Sequence, residues 1–263
     1  MNWLNKIFKQ SSNPLRMSNQ LMDIVKKCEL PRFDYVFSEG KSSRVLFVGY
    51  FFNEYTKRDE FLTIAIDTQS LLSPSTAAGH GIYHNNGTVQ HTILLSKQMI
   101  QLHNKQEFAT DLYHELSHAV DPKRQMQKYD DQSRKLDIIT KDNLIEYFNL
   151  PEETDAFTTG LLNGIREIYN DFKVNCIESI KSTPGVEYSK AETFPCRHLK
   201  NIKLCILDIL KTGQVDQRSM LFDLLFNSGN VETYVDFLEH TFSNPKLKRK
   251  FLERLYNTYK QLN

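Results

Sequence analysis

The apolar residues of this chain pass from strand-like to helical spacing near Gln98, and that change limits the available folds more than any other feature. Before it, "RFDYVFSE", "SRVLFVGYFF" and "DEFLTIAIDT" are dense in Phe, Tyr, Val and Ile and are separated by polar breaks. Such runs predict strands, because aromatic and β-branched side chains pack well on a pleated surface. A fourth unit, "GIYHNNGTVQHTILLSK", sets Asn86-Gly87 between two alternating runs. That dipeptide accepts positive φ at little cost, so it predicts a tight hairpin. From Gln98 onward the apolar spacing is helical. Four or five strands followed by helices predict an α+β fold rather than alternating βα units.

The first helix after the change carries "DLYHELSHAVDP", Asp111 to Pro122. Asn104 and Glu107 form a capping-box start for it. Phe108, Leu112, Leu116 and Ala119 make its apolar stripe, the face expected to pack on the sheet. His114 and His118 stand four residues apart with Glu115 directly after the first. On a helix, that spacing separates two side chains by only ~40° and ~6 Å, so both imidazoles can converge on one metal ion. Zinc takes neutral imidazole nitrogen, and a catalytic zinc site leaves one position open for water. Beside that position Glu115 can act as general base toward the attacking water. Chance produces this motif about once in seventy chains of this composition, so its surroundings must decide. Both histidines border the stripe of Leu112 and Leu116 instead of opposing it, and "HTILLSK" immediately precedes the helix.

A third protein ligand is needed. The metzincin spacing would put Gly three and His or Asp six residues beyond His118, where this chain has Asp121 and Arg124. Downstream, "EYFNLPEETDAF" offers Glu152, Glu153 and Asp155 at the start of a new helix, after the polar excursion from Pro122 to Asp142.

Charge and composition exclude several classes. Lys plus Arg (33) nearly cancels Asp plus Glu (32), so no global basic field points to nucleic acid. With 263 residues, 40% of them hydrophobic, the chain can bury a substantial core. No stretch reaches the ~18 apolar residues of a membrane span, and "MNWLNKIFKQSSNP" lacks the pattern of a signal peptide. A cytoplasmic protein is expected. Trp3, Leu4, Ile7 and Phe8 share one helical face, read as a short helix packed on its own domain. Cys28, Cys176, Cys196 and Cys205 include no C-x-x-C pair and are expected to be reduced thiols. His80 and His84 are also four apart, but Gly79 and Gly81 place them in a loop-to-strand context where that spacing does not converge. They and Cys196-x-His198 are read as structural or surface groups. The basic run "KLKRKFLER" is read as a solvated helix face.

Taken together, "HELSHAVDP" and "EYFNLPEETDAF" resemble the zincin metallopeptidases whose third ligand is a downstream glutamate, the gluzincins, especially short phage-encoded and bacterial members. The resemblance spans roughly residues 40 to 165. It implies one zinc per chain, His114, His118 and Glu153 as ligands, and Glu115 as general base. Helical counting agrees on Glu153, since it shares a face with Ala156 and Phe157 while Glu152 is turned ~100° away and Asp155 about 160°. For the donor that stabilises the transition state, Tyr83, Tyr129 and Tyr147 remain alternatives.

The expected architecture is therefore an N-terminal helical segment (1–30), a zincin-like core (31–165) and a helical C-terminal lobe (166–263). In the core, a small twisted, mostly antiparallel sheet packs on the active-site helix, with an edge strand within His91 to Lys97 that receives substrate backbone by strand addition. The expected function is zinc-dependent hydrolysis of peptide bonds in a protein or peptide substrate. The alternative is a catalytically vestigial zincin scaffold whose helical lobe binds a protein partner.

Overall fold

A computed structural model describes Ile24 and residues 45–53, 56–67, 71–72, 78–85, 88–96, 105–120, 143–182, 194–215 and 231–262. Its elements are strands β1 (Val45–Asn53), β2 (Arg58–Asp67), β3 (Ala78–Asn85) and β4 (Thr88–Ser96), then helices α1 (Lys105–Val120), α2 (Leu144–Asn149), α3 (Pro151–Lys181), α4 (Phe194–Thr212), α5 (Val231–Ser243) and α6 (Pro245–Gln261). "RFDYVFSE", the N-terminal helical segment apart from Ile24, the excursion after Pro122 and "SMLFDLLFNSG" lie outside the described residues. These elements fall into two compact units, one ending at Leu161 and the other beginning at Leu162.

In the first unit the strands form one sheet in the order β1-β2-β4-β3. β1 with β2 and β3 with β4 are antiparallel, and β2 with β4 is parallel, so the sheet is mixed with two of its three pairings antiparallel. The hairpin is where Asn86-Gly87 predicts it, with Asn85 opposite Thr88. Its second strand takes the inner position. β4 supplies the fully buried Ile93 and Leu95, whereas β3 carries Gly79 and Gly81, which have no side chain to pack and suit an edge. This corrects the expected edge strand. His91 to Ser96 fall in β4, paired with β2 throughout and with β3 as far as Leu95, while β1 and β3 flank the sheet and Lys97 lies outside the described residues.

Alternation assigns the faces. Leu62, Ile64 and Ile66 of β2 with Ile93 and Leu95 of β4 are all at 0% exposure and form one core with Leu112, Tyr113, Leu116, Ala119 and Val120 of α1. α1 begins at Lys105, directly after Asn104, and lies across β3 and β4. The stripe of Leu112, Leu116 and Ala119 is on the sheet side as expected, but the helix is enclosed much further round. From Ala109 to Val120 only Asp111 and Ser117 are half-exposed. The imidazoles therefore enter the interior, not a solvated flank.

α2 and α3 are separated by one residue. Leu150 precedes Pro151, whose ring disfavours helical backbone at that position, and Leu150 is extended with φ −67° and ψ 123°. Pro151 then opens α3 at a position where its missing N–H is no loss. The break is tied down by Thr154, whose hydroxyl donates to the carbonyl of Phe148 at 2.6 Å.

The second unit is helical. Asn244 caps α6, accepting from the backbone N–H groups of Lys246 and Leu247, with Pro245 in the first turn. Gly213 closes α4 with φ +61° and donates its N–H to the carbonyl of Ile209, a left-handed cap that a side chain would disfavour. α6 packs on α4 and α5. Cys176 and Cys196 form a disulfide that joins α3 to the start of α4 with a Cα–Cα distance of 5.1 Å. The expectation of four reduced thiols is thus wrong for this pair. Spacing along the chain could not reveal it, because adjacent helices bring together cysteines 20 residues apart. Among the described residues no helix is long and apolar enough to cross a membrane.

Candidate metal centre

His114 and His118 lie one turn apart on α1, and their rings meet nearly at right angles (80°) with centroids 4.8 Å apart. Their Nε2 atoms are 3.1 Å from each other. From the first turn of α3, Glu153 brings Oε2 to 3.3 Å from each of these nitrogens. Three lone-pair atoms on two helices thus converge on one point, and all three residues are buried. A proton can bridge only two of them at once. A metal ion could be held by all three, and among the described residues this is the single group of His, Cys, Asp or Glu with that property.

The phase of α3 decides which acidic residue takes part. Glu153, Ala156 and Phe157 are buried, whereas Glu152 and Asp155 are half-exposed. Ala156 permits close approach. Phe157 packs its ring edge-on to His114 at 4.5 Å and to Phe148 at 5.2 Å, which fixes the first turn of α3 against α1. The angular argument from the sequence therefore agrees with the observed burial.

Electrostatics couples the three groups. Burial by itself lowers the pKa of His114, but the hydrogen bond to Glu153 and the charges of Glu115, Glu153 and Asp111 together raise it above the ordinary imidazole value. For Glu153, burial opposes ionisation, yet the charge of His118, hydrogen bonds with both histidines and the charge of His114 hold the carboxyl well below its ordinary range. The centre is thus poised as a carboxylate sharing protons with imidazole, the state a cation would displace. Glu115 is itself buried, on the turn between the two histidines.

Of the tyrosines considered as transition-state donors, Tyr147 sits 6.1 Å ring to ring from Phe157, Tyr83 is 61% exposed, and Tyr129 lies outside the described residues. His198 packs on Phe172 at 4.8 Å, and its neighbour Cys196 is in the disulfide, in keeping with a structural reading of that pair.

Two strand residues and one histidine read as bland escaped notice. Glu60 of β2 and His91 of β4 are buried, with His91 Nε2 2.9 Å from Glu60 Oε2. His80 of β3 reaches His91 Nδ1 with its Nε2 at 3.0 Å, and its ring lies near-parallel to that of His118, 6.4 Å between centroids. His80 therefore faces the centre instead of being an isolated structural or surface group. The signal was present in the alternation. Glu60 is in phase with Leu62, Ile64 and Ile66, and His91 with Ile93 and Leu95, so both were destined for the apolar face.

Comparison with protein-family models, with curated proteins and with solved structures finds nothing that matches the chain. The functional reading rests on the centre itself.

Proposed function

We propose that this protein is a zinc-dependent metallopeptidase in which His114, His118 and Glu153 hold the ion and Glu115 is the general base. The observation that carries the reading is the triangle of Nε2, Nε2 and Oε2 with edges of 3.1, 3.3 and 3.3 Å. Tetrahedral zinc with bonds of ~2.0–2.1 Å requires ligand atoms roughly 3.3–3.4 Å apart, so the three atoms span one face of such a tetrahedron. Two imidazoles and one carboxylate also match the donor set of hydrolytic zinc sites, which leave the fourth position to water or substrate. When bound, zinc would supply Lewis acidity toward water and a substrate carbonyl.

The remaining chemistry belongs to the chain. Glu115, next to His114 and buried beside the ligands, accepts a proton from the attacking water and returns it to the leaving amine. Phe157 and the packed first turn of α3 hold Glu153 in place and keep bulk water from its oxygens. Beside α1, the strand at the border of the sheet is β3, where an extended peptide would add its backbone.

Metal analysis of the purified full chain, together with digestion of a peptide library by wild type and Glu115→Gln, tests the reading. The expected result is one zinc per chain in both proteins and cleavage reduced ~10²–10⁴-fold in the variant. Absence of bound zinc, or equal cleavage by both proteins, overturns it. Zinc in both with cleavage by neither favours the scaffold alternative.

A further inference from the structure

The sheet carries a polar column that peptide hydrolysis as described does not use. Glu60 accepts three hydrogen bonds: from Asn53 Nδ2 at 2.9 Å and from His91 Nε2 at 2.9 Å on one oxygen, and from the Thr56 hydroxyl at 2.7 Å on the other. With Glu60 as a carboxylate, which offers only acceptors, His91 carries its proton on Nε2. In neutral His91 the Nδ1 is then a lone pair, and His80 must donate to it from Nε2. One carboxylate thereby sets the tautomer and ring orientation of two successive imidazoles.

The rings are stacked in the same order. His91 and His80 are 15° from parallel with centroids 5.2 Å apart, and His80 and His118 are 20° from parallel at 6.4 Å. Phe51 closes the far side of His91 with an edge contact at 5.4 Å. The column starts from the buried Glu60 of β2 beside Asn53 of β1, crosses β4 and β3, and ends against one proposed ligand of the candidate metal centre. It is not a second metal site. His91 uses its two nitrogens on opposite neighbours, so the three residues form a line and their ligand atoms do not converge.

We propose that Glu60 and His91 hold His80 as a fixed wall against His118, and that His80 is a positioning residue for metal binding. The inference rests on the reading of His114, His118 and Glu153 as ligands. An imidazole on a helix can rotate about its Cβ–Cγ bond, and each rotation away from the centre lowers the fraction of molecules with Nε2 correctly aimed. A ring held parallel to it limits that rotation. Because His80 Nε2 is committed to His91, the wall does not offer that nitrogen as a competing ligand. Partners that orient a ligating histidine typically contribute 10–100-fold to metal affinity.

The test uses the full chain and two probes, zinc in competition with a chromophoric chelator and cobalt(II) followed by its visible absorption. His80→Ala is the main variant because it removes the ring that faces His118, and His80 is only half-buried. His91→Phe is the second, keeping a ring while removing both hydrogen bonds. Each is expected to weaken zinc binding about 10–100-fold and to alter the cobalt spectrum, with circular dichroism of the metal-free variants showing the native fold. In metal-free wild type, nitrogen-15 spectra should show the Nε2–H tautomer for both His91 and His80. Wild-type zinc affinity with an unchanged cobalt spectrum in His80→Ala overturns the positioning role while leaving the metal centre standing. If wild type binds neither metal, the reading of the centre falls and this inference falls with it.

Discussion

Replacing Glu153 by Gln isolates the proposed ligand that joins the two helices of the candidate metal centre. The side chain keeps its length, and only one atom matters: Oε2, which is 3.3 Å from both histidine nitrogens. In the metal-free protein the variant loses the pairing of the carboxylate with imidazole, so its own metal-free Tm, not that of wild type, is the baseline for its zinc shift. Metal binding responds differently, because a neutral amide replaces the anionic member of a three-atom site. Groups that merely orient a ligand contribute 10–100-fold to affinity, so loss of the ligand itself is expected to weaken zinc at least about 100-fold. At a zinc concentration 1,000 times the wild-type dissociation constant, wild type gains about 4.1 kcal/mol from binding, whereas a variant bound 100-fold more weakly gains about 1.4 kcal/mol. The difference of about 2.7 kcal/mol corresponds to roughly 5–10 °C of lost zinc-induced shift in Tm. Glu152→Gln, at a half-exposed position on the same turn, should keep the wild-type shift to within ~2 °C. Differential scanning calorimetry with and without zinc measures both variants. An undiminished shift in Glu153→Gln, or a larger loss in Glu152→Gln, would refute the ligand assignment and the helix phase beneath it.

Three further outcomes are expected. The raised pKa of His114 means that zinc must displace a proton, so affinity should begin to fall at a pH above the ordinary imidazole value of 6.5 as the solution is acidified, with proton uptake visible by calorimetry in buffers of different ionisation enthalpy. In the metal-free protein the sign is opposite at the upper end. The His114 contribution is fully present below 6.5 and is lost as pH rises through its raised value, while the Glu153 contribution is present above 4.5 and is lost as pH falls through its lowered value. The Tm of metal-free wild type relative to Glu153→Gln should therefore be greatest between those limits, and a flat difference from pH 4 to 8 would contradict the coupling. Opening the Cys176–Cys196 disulfide, which spans a separation of 20 residues, should remove ~3 kcal/mol. Reductant should thus lower the Tm of wild type but not of Cys176→Ser, and leave zinc affinity unchanged because the candidate metal centre lies in the other unit.

Local rules account for much of what was legible in the chain. Asn86-Gly87 specifies its hairpin because the dipeptide tolerates positive φ wherever it stands. Asn244-Pro245 starts α6 because capping and a preset φ act within one turn. Likewise His114 and His118 face the same way because helical geometry alone puts i and i+4 together, and Glu153 is selected over Glu152 by a rotation of ~100° per residue. Each of these needs no more than a few neighbouring residues. Which elements meet is a different matter. That β4 and not β3 lies beside β2 depends on which strand buries more apolar surface once both are available. That Cys176 reaches Cys196 depends on the docking of α3 with α4. Most telling is Glu60, His91 and His80. Alternation could announce that a glutamate and a histidine would be buried, since both fall in phase with Ile and Leu. Only the register of three strands, with Leu62 opposite His91 and Ile82 opposite His91, lines them up in hydrogen-bonding order and aims the last ring at His118. Local preference is additive along the chain, but a column of side chains contributed by three strands and ended by a helix exists only after all four have packed.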